Sequence, residues 1–236
     1  MTIFAGQVVF WTLRPPYRFR VYLESMYFVG VGTIFIVLLV GGFTGAVFAL
    51  QTVIGLQMFN AENMVGGLVG LGFAREMAPV FTALLLTARA GSAMATELGT
   101  MRVTDQIDAL ATMGISPVQY LVAPRVFACT AMAPVLCTLF NFLGVAGSWA
   151  VCVGMLELDP GVFQDTIAYW VDPDDVTTGL LKVTVLGFFV SLIACHKGFF
   201  ATGGAAGVGQ ATTTAVVHGF VIIFVLDYFL TSLLQF

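Results

Sequence analysis

Charge is scarce in this chain. Asp, Glu, Lys and Arg make up only 9% of its 236 residues, whereas hydrophobic residues make up 59%. This balance, with a mean hydropathy of +0.98, excludes an ordinary soluble domain and predicts an all-α polytopic membrane protein. The few basic residues form no cluster of the kind that follows phosphates. We therefore expect no nucleic-acid partner.

Residue patterns that carry chemistry are also missing. The four cysteines lie in apolar segments without CxxC spacing, which favours buried hydrophobic side chains over a disulfide framework or a zinc site: Cys129, Cys137, Cys152 and Cys195. The Gly-rich residues 196–214 lack the Gly-Lys-Ser/Thr of a Walker motif and predict a tight turn. No catalytic constellation or metal pattern is present, and no basic n-region marks a cleaved signal peptide. We expect no catalytic residue, metal or cofactor in this chain.

Long, mainly apolar stretches leave room for five transmembrane helices of about 20 residues or more. They are residues 29–59, 63–90, 122–156, 177–195 and 213–236. Residues 1–24 begin with an apolar stretch too short to span. They predict an interfacial helix with Trp11, Tyr17 and Tyr22 at headgroup depth, the alternative being a frayed terminus. The acidic residues 157–176 predict an outer loop or short helix, and the whole chain is expected to form a single permease domain.

A polar stretch, residues 97–117, interrupts these apolar segments with the sequence ELGTMRVTDQIDALATMGISP. Helical spacing places one set of residues on an apolar face: Val103, Ile107, Leu110 and Gly114. Asp105 and Asp108 fall on the opposite face. Thr104 is the expected N-cap and Pro117 follows the expected end. The pattern predicts a short amphipathic surface helix, and a plain loop helix packed on its own protein is the alternative.

Basic residues indicate the orientation. If the N-terminus is cytoplasmic and five helices cross, seven basic residues lie on the inner side: Arg14, Arg18, Arg20, Arg89, Arg102, Arg125 and Lys197. The outer loops then carry no Lys or Arg, because Lys182 lies within a span, near its outer end, from which it can snorkel. This topology places residues 97–117 in the cytoplasm and the C-terminus outside.

Charges inside spans are the most informative residues, because such charges are costly and rarely face lipid. Arg75 and Glu76 lie at the centre of the second span and point about 100° apart, so each needs a partner elsewhere or water. They either line a polar patch near a lipid headgroup or belong to a structural ion-pair network. Asp227 is a natural partner for Arg75 or for a backbone donor, and His218 is interpreted as a packing residue.

The polar stretch also carries a resemblance. Residues 97–125, together with AREMAPVFTALLLTARAGSAMATELGTM (74–101) and ATTTAVVHGFVIIFVLDYFLT (211–231), closely resemble the MlaE/YrbE permease family. These proteins are membrane subunits of ABC transporters that move lipids in Gram-negative envelopes. The resemblance implies that residues 97–117 form the coupling helix that docks into a cytoplasmic ATPase. The expected coupling residues are Glu97, Arg102, Asp105 and Asp108.

The same resemblance implies further partners and a site. It implies a homodimer with a lipid cavity at its two-fold axis, lined by Phe59, Arg75 and Glu76. It also implies an ATPase chain that holds ATP and Mg, an MCE-domain partner and, in some systems, a STAS-domain partner. Some relatives carry basic residues where this chain has Glu24, Gln210 or Thr214.

The expected function is therefore that of an inner-membrane permease subunit of a lipid transporter, with phospholipid as the substrate and outer-membrane lipid asymmetry as the role. Two alternatives remain open from the residues alone. One is an ion-coupled secondary transporter using Glu76, Asp227 and His218, which would show inverted repeats. The other is a membrane scaffold that transports nothing.

Overall fold

A computed structural model describes residues 2–13 and 19–235, and within these ranges the chain is helical with no β-strand. The helical segments are α1 Thr2–Leu13, α2 Phe19–Gln57, α3 Glu62–Val103, α4 Gln106–Thr112, α5 Val118–Gly154, α6 Pro160–Trp170, α7 Pro173–Phe199 and α8 Gly204–Gln235. Five of them, α2, α3, α5, α7 and α8, are long and apolar enough to cross a membrane. The predicted all-α polytopic fold is confirmed.

Helix α3 is not a uniform α-helix. It contains two π-helical segments, Phe73–Met77 and Thr87–Gly91, and a third, Val118–Val122, opens α5. Single π turns in α-helices occur frequently at functional sites. Two of these segments contain intramembrane or near-membrane charges, because the first holds Arg75 and Glu76 and the second holds Arg89.

The long helices extend beyond the expected spans. Helix α2 begins at Phe19 rather than at residue 29, so residues 19–24 belong to it and the separate N-terminal helix is only α1. Of the three residues expected at headgroup depth, Trp11 lies in α1 and Tyr22 in α2, whereas Tyr17 lies outside the described residues. Helix α3 continues past residue 90 to Val103. An α-helix satisfies its own backbone hydrogen bonds, so polar side chains at the membrane surface do not end it.

The tight turn predicted within the Gly-rich residues 196–214 is present but covers only residues 200–203, and the rest of the stretch is helical. Helix α7 continues to Phe199 and α8 begins at Gly204. Gly203 and Gly204 have φ of +92° and +65°, the left-handed region that glycine adopts without steric cost. Gly198 and Gly207 serve packing, because a Cβ at Gly198 would meet the backbone of Ala95 and one at Gly207 would meet the carbonyl of Thr202.

Residues 97–117 also differ in detail from the expected single helix. Residues up to Val103 complete α3, and Thr104 follows α3 as its C-cap instead of capping the next helix. Asp105 is the N-cap of α4, with φ of +58° and no side-chain cap hydrogen bond. Helix α4 is two turns long. Its Ile107 is buried and Asp108 is exposed, as the amphipathic pattern predicts.

The acidic residues 157–176 include a regular helix, α6. The carboxylate of Asp159 accepts hydrogen bonds from the backbone N–H groups of Gly161 (2.7 Å) and Val162 (3.3 Å), and Pro160 occupies the first turn. An N-cap acid followed by proline is a strong helix start. The segment therefore has a defined structure instead of an open loop.

The helices are arranged in two compact units, each built from separate stretches of the chain. The first unit comprises residues 1–33, 83–133 and 184–236. In it, α8 packs along the last part of α3, where Gly99 contacts Val208 and Gly219 contacts Thr87. These glycines let the two helix backbones approach closely.

The second unit comprises residues 34–82 and 134–183. Helices α2 and α5 meet there through glycines, because a Cβ at Gly45 would overlap the carbonyl of Gly144. Helix α6 packs on the start of α3, where Gly66 contacts Phe163. Stacked and tilted aromatic rings fill the space between these helices: Phe48, Phe73, Phe81 and Phe140.

Candidate functional site

The first candidate site lies in the second unit, where α7 crosses the π segment of α3. Asp175, Gly179 and Lys182 are spaced four and three residues apart, so they share one face of α7. Gly179 contacts the backbone carbonyl of Ala74, and this close approach brings the charged residues on either side of it to α3. The acid and the base of α7 each then meet one of the adjacent charges of α3.

Two ion pairs result. Arg75 donates from Nε to Oδ1 of Asp175 at 2.7 Å, and its Nη2 lies 2.7 Å from the same oxygen. Nζ of Lys182 donates to Oε1 of Glu76 at 2.8 Å and to the backbone carbonyl of Arg75 at 3.1 Å. Asp175 is held in place because its Oδ2 accepts from the backbone N–H of Asp172 at 3.0 Å. The four charges balance as two positive and two negative.

Burial is unequal across each pair. The side chains on α7 are enclosed, Lys182 being 0% exposed and Asp175 8%, whereas Arg75 and Glu76 on α3 are 40% and 38% exposed. The enclosed members depend on their partners, since an unpaired buried charge is strongly destabilising. The α3 members can still contact water, a polar headgroup or another chain on their open sides.

The prediction that Arg75 and Glu76 need partners elsewhere is confirmed, but the partners differ from those expected. Asp175 rather than Asp227 pairs with Arg75. Lys182 does not snorkel, because its ammonium is buried against Glu76. The spacing Asp175-x-x-x-Gly-x-x-Lys182 is the signal that sequence reasoning missed, as it places an acid and a base two turns apart on one helix face.

Phe59, the third expected lipid-cavity residue, is not part of this cluster. It is exposed in the turn between α2 and α3. From Glu62 to Arg75 the helix rises by about 20 Å, at about 1.5 Å per residue. A single chain therefore does not bring Phe59 and Arg75 together.

The second candidate site is the expected ATPase-coupling segment in the first unit. Nη1 of Arg102 donates to Oδ1 of Asp108 at 2.6 Å, which joins the end of α3 to α4. Glu97 instead accepts from Nη2 of Arg125 at 3.0 Å, at the start of α5. Asp105 is exposed at the turn between the two helices. The acidic surface open to a partner thus consists of Asp105 and the free side of Asp108.

The two residues interpreted as structural intramembrane polar groups both lie on α8. Asp227 is half-buried, whereas His218 is exposed and lines a groove instead of packing in the core. Of the residues that the structure describes, no group of three or more His, Cys, Asp or Glu side chains is placed to hold a metal ion.

Comparisons with known proteins match most of the chain to permease proteins. The family described as Permease MlaE matches residues 22–233. A probable ABC transporter permease protein of Synechocystis is 40% identical over 97% of this chain and 87% of its own length. A similar protein of Rickettsia prowazekii is 37% identical over 94% and 85%. The intermembrane phospholipid transport system permease protein MlaE of Haemophilus influenzae is 36% identical over 98% and 90%.

Proposed function

This chain belongs to the MlaE permease family, and from that premise we propose that it is the membrane subunit of an ATP-driven phospholipid transporter in the inner membrane. The observation that carries the proposal is the charge cluster on α3. Arg75 and Glu76 are tied on one side to α7 and remain about 40% exposed on the other. Open charges on a membrane-spanning helix fit a polar path for a headgroup.

In this proposal Arg75 attracts the phosphate of a lipid and Glu76 orients it or prevents its tight retention. The path forms at the two-fold axis of a homodimer. Phe59, which is exposed and distant from the charges in one chain, contributes an apolar contact to the acyl region. A homodimer supplies each of these residues twice around a shared cavity.

In this proposal, α4 couples ATP hydrolysis in a partner chain to lipid transport. We infer that Asp105 and Asp108 dock on a cytoplasmic ATPase that holds ATP and Mg, while the Arg102–Asp108 pair transmits movement from α4 to α3. Glu97 and Arg125 brace the neighbouring start of α5. Because the two helices are joined only by Thr104 and Asp105, the ion pair is a second connection across the turn.

The wider assembly follows from the family. We propose an MCE-domain protein as the lipid-binding partner on the outer side, a STAS-domain protein as a further partner, and maintenance of outer-membrane lipid asymmetry as the role. The ion-coupled alternative is less favoured. It would use the Glu76 carboxylate to carry the ion, yet that carboxylate already pairs with a buried ammonium.

A double variant tests the role of Glu76. Glu76→Gln combined with Lys182→Met removes both charges of the pair, so neither is stranded. We expect a folded homodimer whose ATP-dependent transfer of a fluorescent phospholipid, measured in proteoliposomes with the ATPase, falls well below that of the wild type. Glu24→Gln, at an exposed ion pair, is the control and should transfer normally. Wild-type transfer by the double variant would show that the charges serve only structure.

A further inference from the structure

A groove in the first unit is not explained by the candidate site. It lies among α1, α7 and α8, and its volume is about 610 Å³, within the range of small-molecule sites. None of Phe59, Arg75 and Glu76 lines it. Its walls come from residues spaced three and four apart on two helices, which form one stripe on each. These wall residues are Phe189, Leu192 and Ile193 on α7 with Val221 and Ile222 on α8.

The groove has an apolar length suited to an acyl chain. From Phe189 to Lys197 is eight residues, or about 12 Å of helix. The hydrocarbon core of a bilayer is about 30 Å thick, so one leaflet provides about 15 Å. The groove therefore follows α7 along most of one leaflet. A straight apolar chain fits this shape better than a compact polar solute does.

The end of the groove is cationic. His196 and Lys197 occupy the last turn of α7 and line it. The aromatic ring of Phe4 on α1 contacts the ring of His196, with 5.3 Å between the ring centroids. Ala5 of the same helix lines the groove. Helix α1 thus encloses the end of the groove where a headgroup would lie.

Lys197 differs from the other cations in the described part of the chain. Five of them form ion pairs with carboxylates: Arg20, Arg75, Arg102, Arg125 and Lys182. Arg89 donates to the backbone carbonyl of Phe28 and lies over its ring. Lys197 has no carboxylate, backbone-carbonyl or aromatic-ring partner among the described residues. Within that part of the chain it is a positive charge without a carboxylate partner, at the mouth of an apolar groove.

We propose that this groove binds one membrane phospholipid with a negative net charge. An acyl chain lies between α7 and α8, and the phosphate contacts Lys197. His196 and His218 supply further polar contacts along the lining. The occupant is a lipid of the surrounding leaflet, held at a site separate from the charges of α3. Such a lipid would fasten α1 to the end of α7 and to the middle of α8.

Native mass spectrometry of the detergent-purified chain tests the proposal by titration with phosphatidylglycerol or phosphatidylcholine. We expect one phosphatidylglycerol per chain to depend on Lys197, in addition to lipid held at the two-fold axis, and to bind more tightly than phosphatidylcholine. Lys197→Gln should weaken phosphatidylglycerol binding by about tenfold or more, because a hydrogen bond to a charged group contributes about 1.5–3 kcal/mol. Lys197→Arg should retain the preference, and Arg20→Gln is the control for loss of a surface cation.

A second pair of variants tests the apolar part. Val221→Trp fills the groove from an exposed position, whereas Val217→Trp places the same side chain one turn earlier on α8, outside the groove. Val221→Trp should remove one bound lipid per chain from the count for either lipid, whereas Val217→Trp should leave the count unchanged. Equal binding in both variants would overturn the proposal. So would competition by inorganic phosphate, which indicates an ion site, or dissociation of a dimer by Val221→Trp, which indicates contact with a second copy. The measurement needs no ATPase, so it can fail while the proposed transport function stands.

Discussion

Removing one charge from the Glu76–Lys182 pair should have effects of different size depending on which member is removed. Lys182 is completely buried, whereas the Glu76 side chain is 38% exposed. Glu76→Gln leaves an ammonium that water cannot reach, which keeps the carbonyl of Arg75 as an acceptor but faces a neutral amide in place of the carboxylate. Lys182→Met removes the buried charge, fills similar volume with an apolar side chain, and leaves a carboxylate that water can reach.

The magnitudes follow from that geometry. Breaking a fully buried ion pair costs about 3–5 kcal/mol, and the partial exposure of Glu76 together with the remaining amide acceptor reduces this to about 2–3 kcal/mol for Glu76→Gln. We expect about 1 kcal/mol for Lys182→Met. The double variant should resemble Lys182→Met, because a neutral amide beside methionine strands no charge. At about 2–4 °C per kcal/mol for a chain of this size, Glu76→Gln lowers Tm by about 4–12 °C and Lys182→Met by about 2–4 °C.

Thermal unfolding in a single detergent, followed by tryptophan fluorescence, measures these shifts. Glu24→Gln is the matched control, since the Arg20–Glu24 pair has nearly the same separation of 2.9 Å but lies on the surface and should contribute less than about 1 kcal/mol. Two results would refute the reasoning. One is a larger Tm decrease in Lys182→Met than in Glu76→Gln. The other is a double variant whose decrease equals the sum of the single ones, since the two residues would then not interact.

Two further predictions concern the segments outside the spans. Asp108→Lys should leave membrane insertion intact but remove the ATPase from the purified complex. The change breaks the 2.6 Å contact between Arg102 and Asp108, and a lysine that meets positive charge at the interface with the ATPase costs several kcal/mol. Unchanged co-purification would favour a loop helix that packs only on its own chain. In intact cells, an impermeant thiol reagent should label a cysteine placed at Asp174 but not one at Asp105, both exposed positions, with the four buried native cysteines as the unlabelled background; the reverse pattern would invert the proposed topology.

The number of spans and the helical class could be predicted because they depend on local composition. A stretch of about 20 apolar residues must be helical in a membrane, where backbone groups have no water to bond. The ends of the helices could not be predicted in the same way. Residues 196–214 contain many glycines, which in a soluble protein indicate a loop. In this chain, however, Gly198 allows close contact between α7 and α3, and Gly207 allows close contact with the backbone of Thr202 in the turn before α8.

The partners of the intramembrane charges were harder to predict because they lie about 100 residues away in the sequence. Adjacent charges at Arg75 and Glu76 indicate that partners exist, and this inference needs only helix geometry. Choosing Asp175 and Lys182 requires knowing that α7 crosses α3 at Gly179. The π segment adds a further difficulty, since a five-residue hydrogen-bond step has no clear sequence signal.

Stability alone does not account for the charges that α3 and α7 carry at this crossing. A buried ion pair can be replaced by packed apolar side chains with no loss of stability, and in some proteins with a gain. A leucine at each position would also insert into a membrane more favourably than Arg75 or Glu76. The chain instead places both charges on a π turn, fastens each to α7, and leaves about two fifths of each side chain open. The ion pairs with α7 hold each side chain in one orientation, and the exposed part of each side chain can contact a ligand. This arrangement is costly for a helix that only spans a membrane, and it suits one that must present a fixed pair of charges to a passing headgroup.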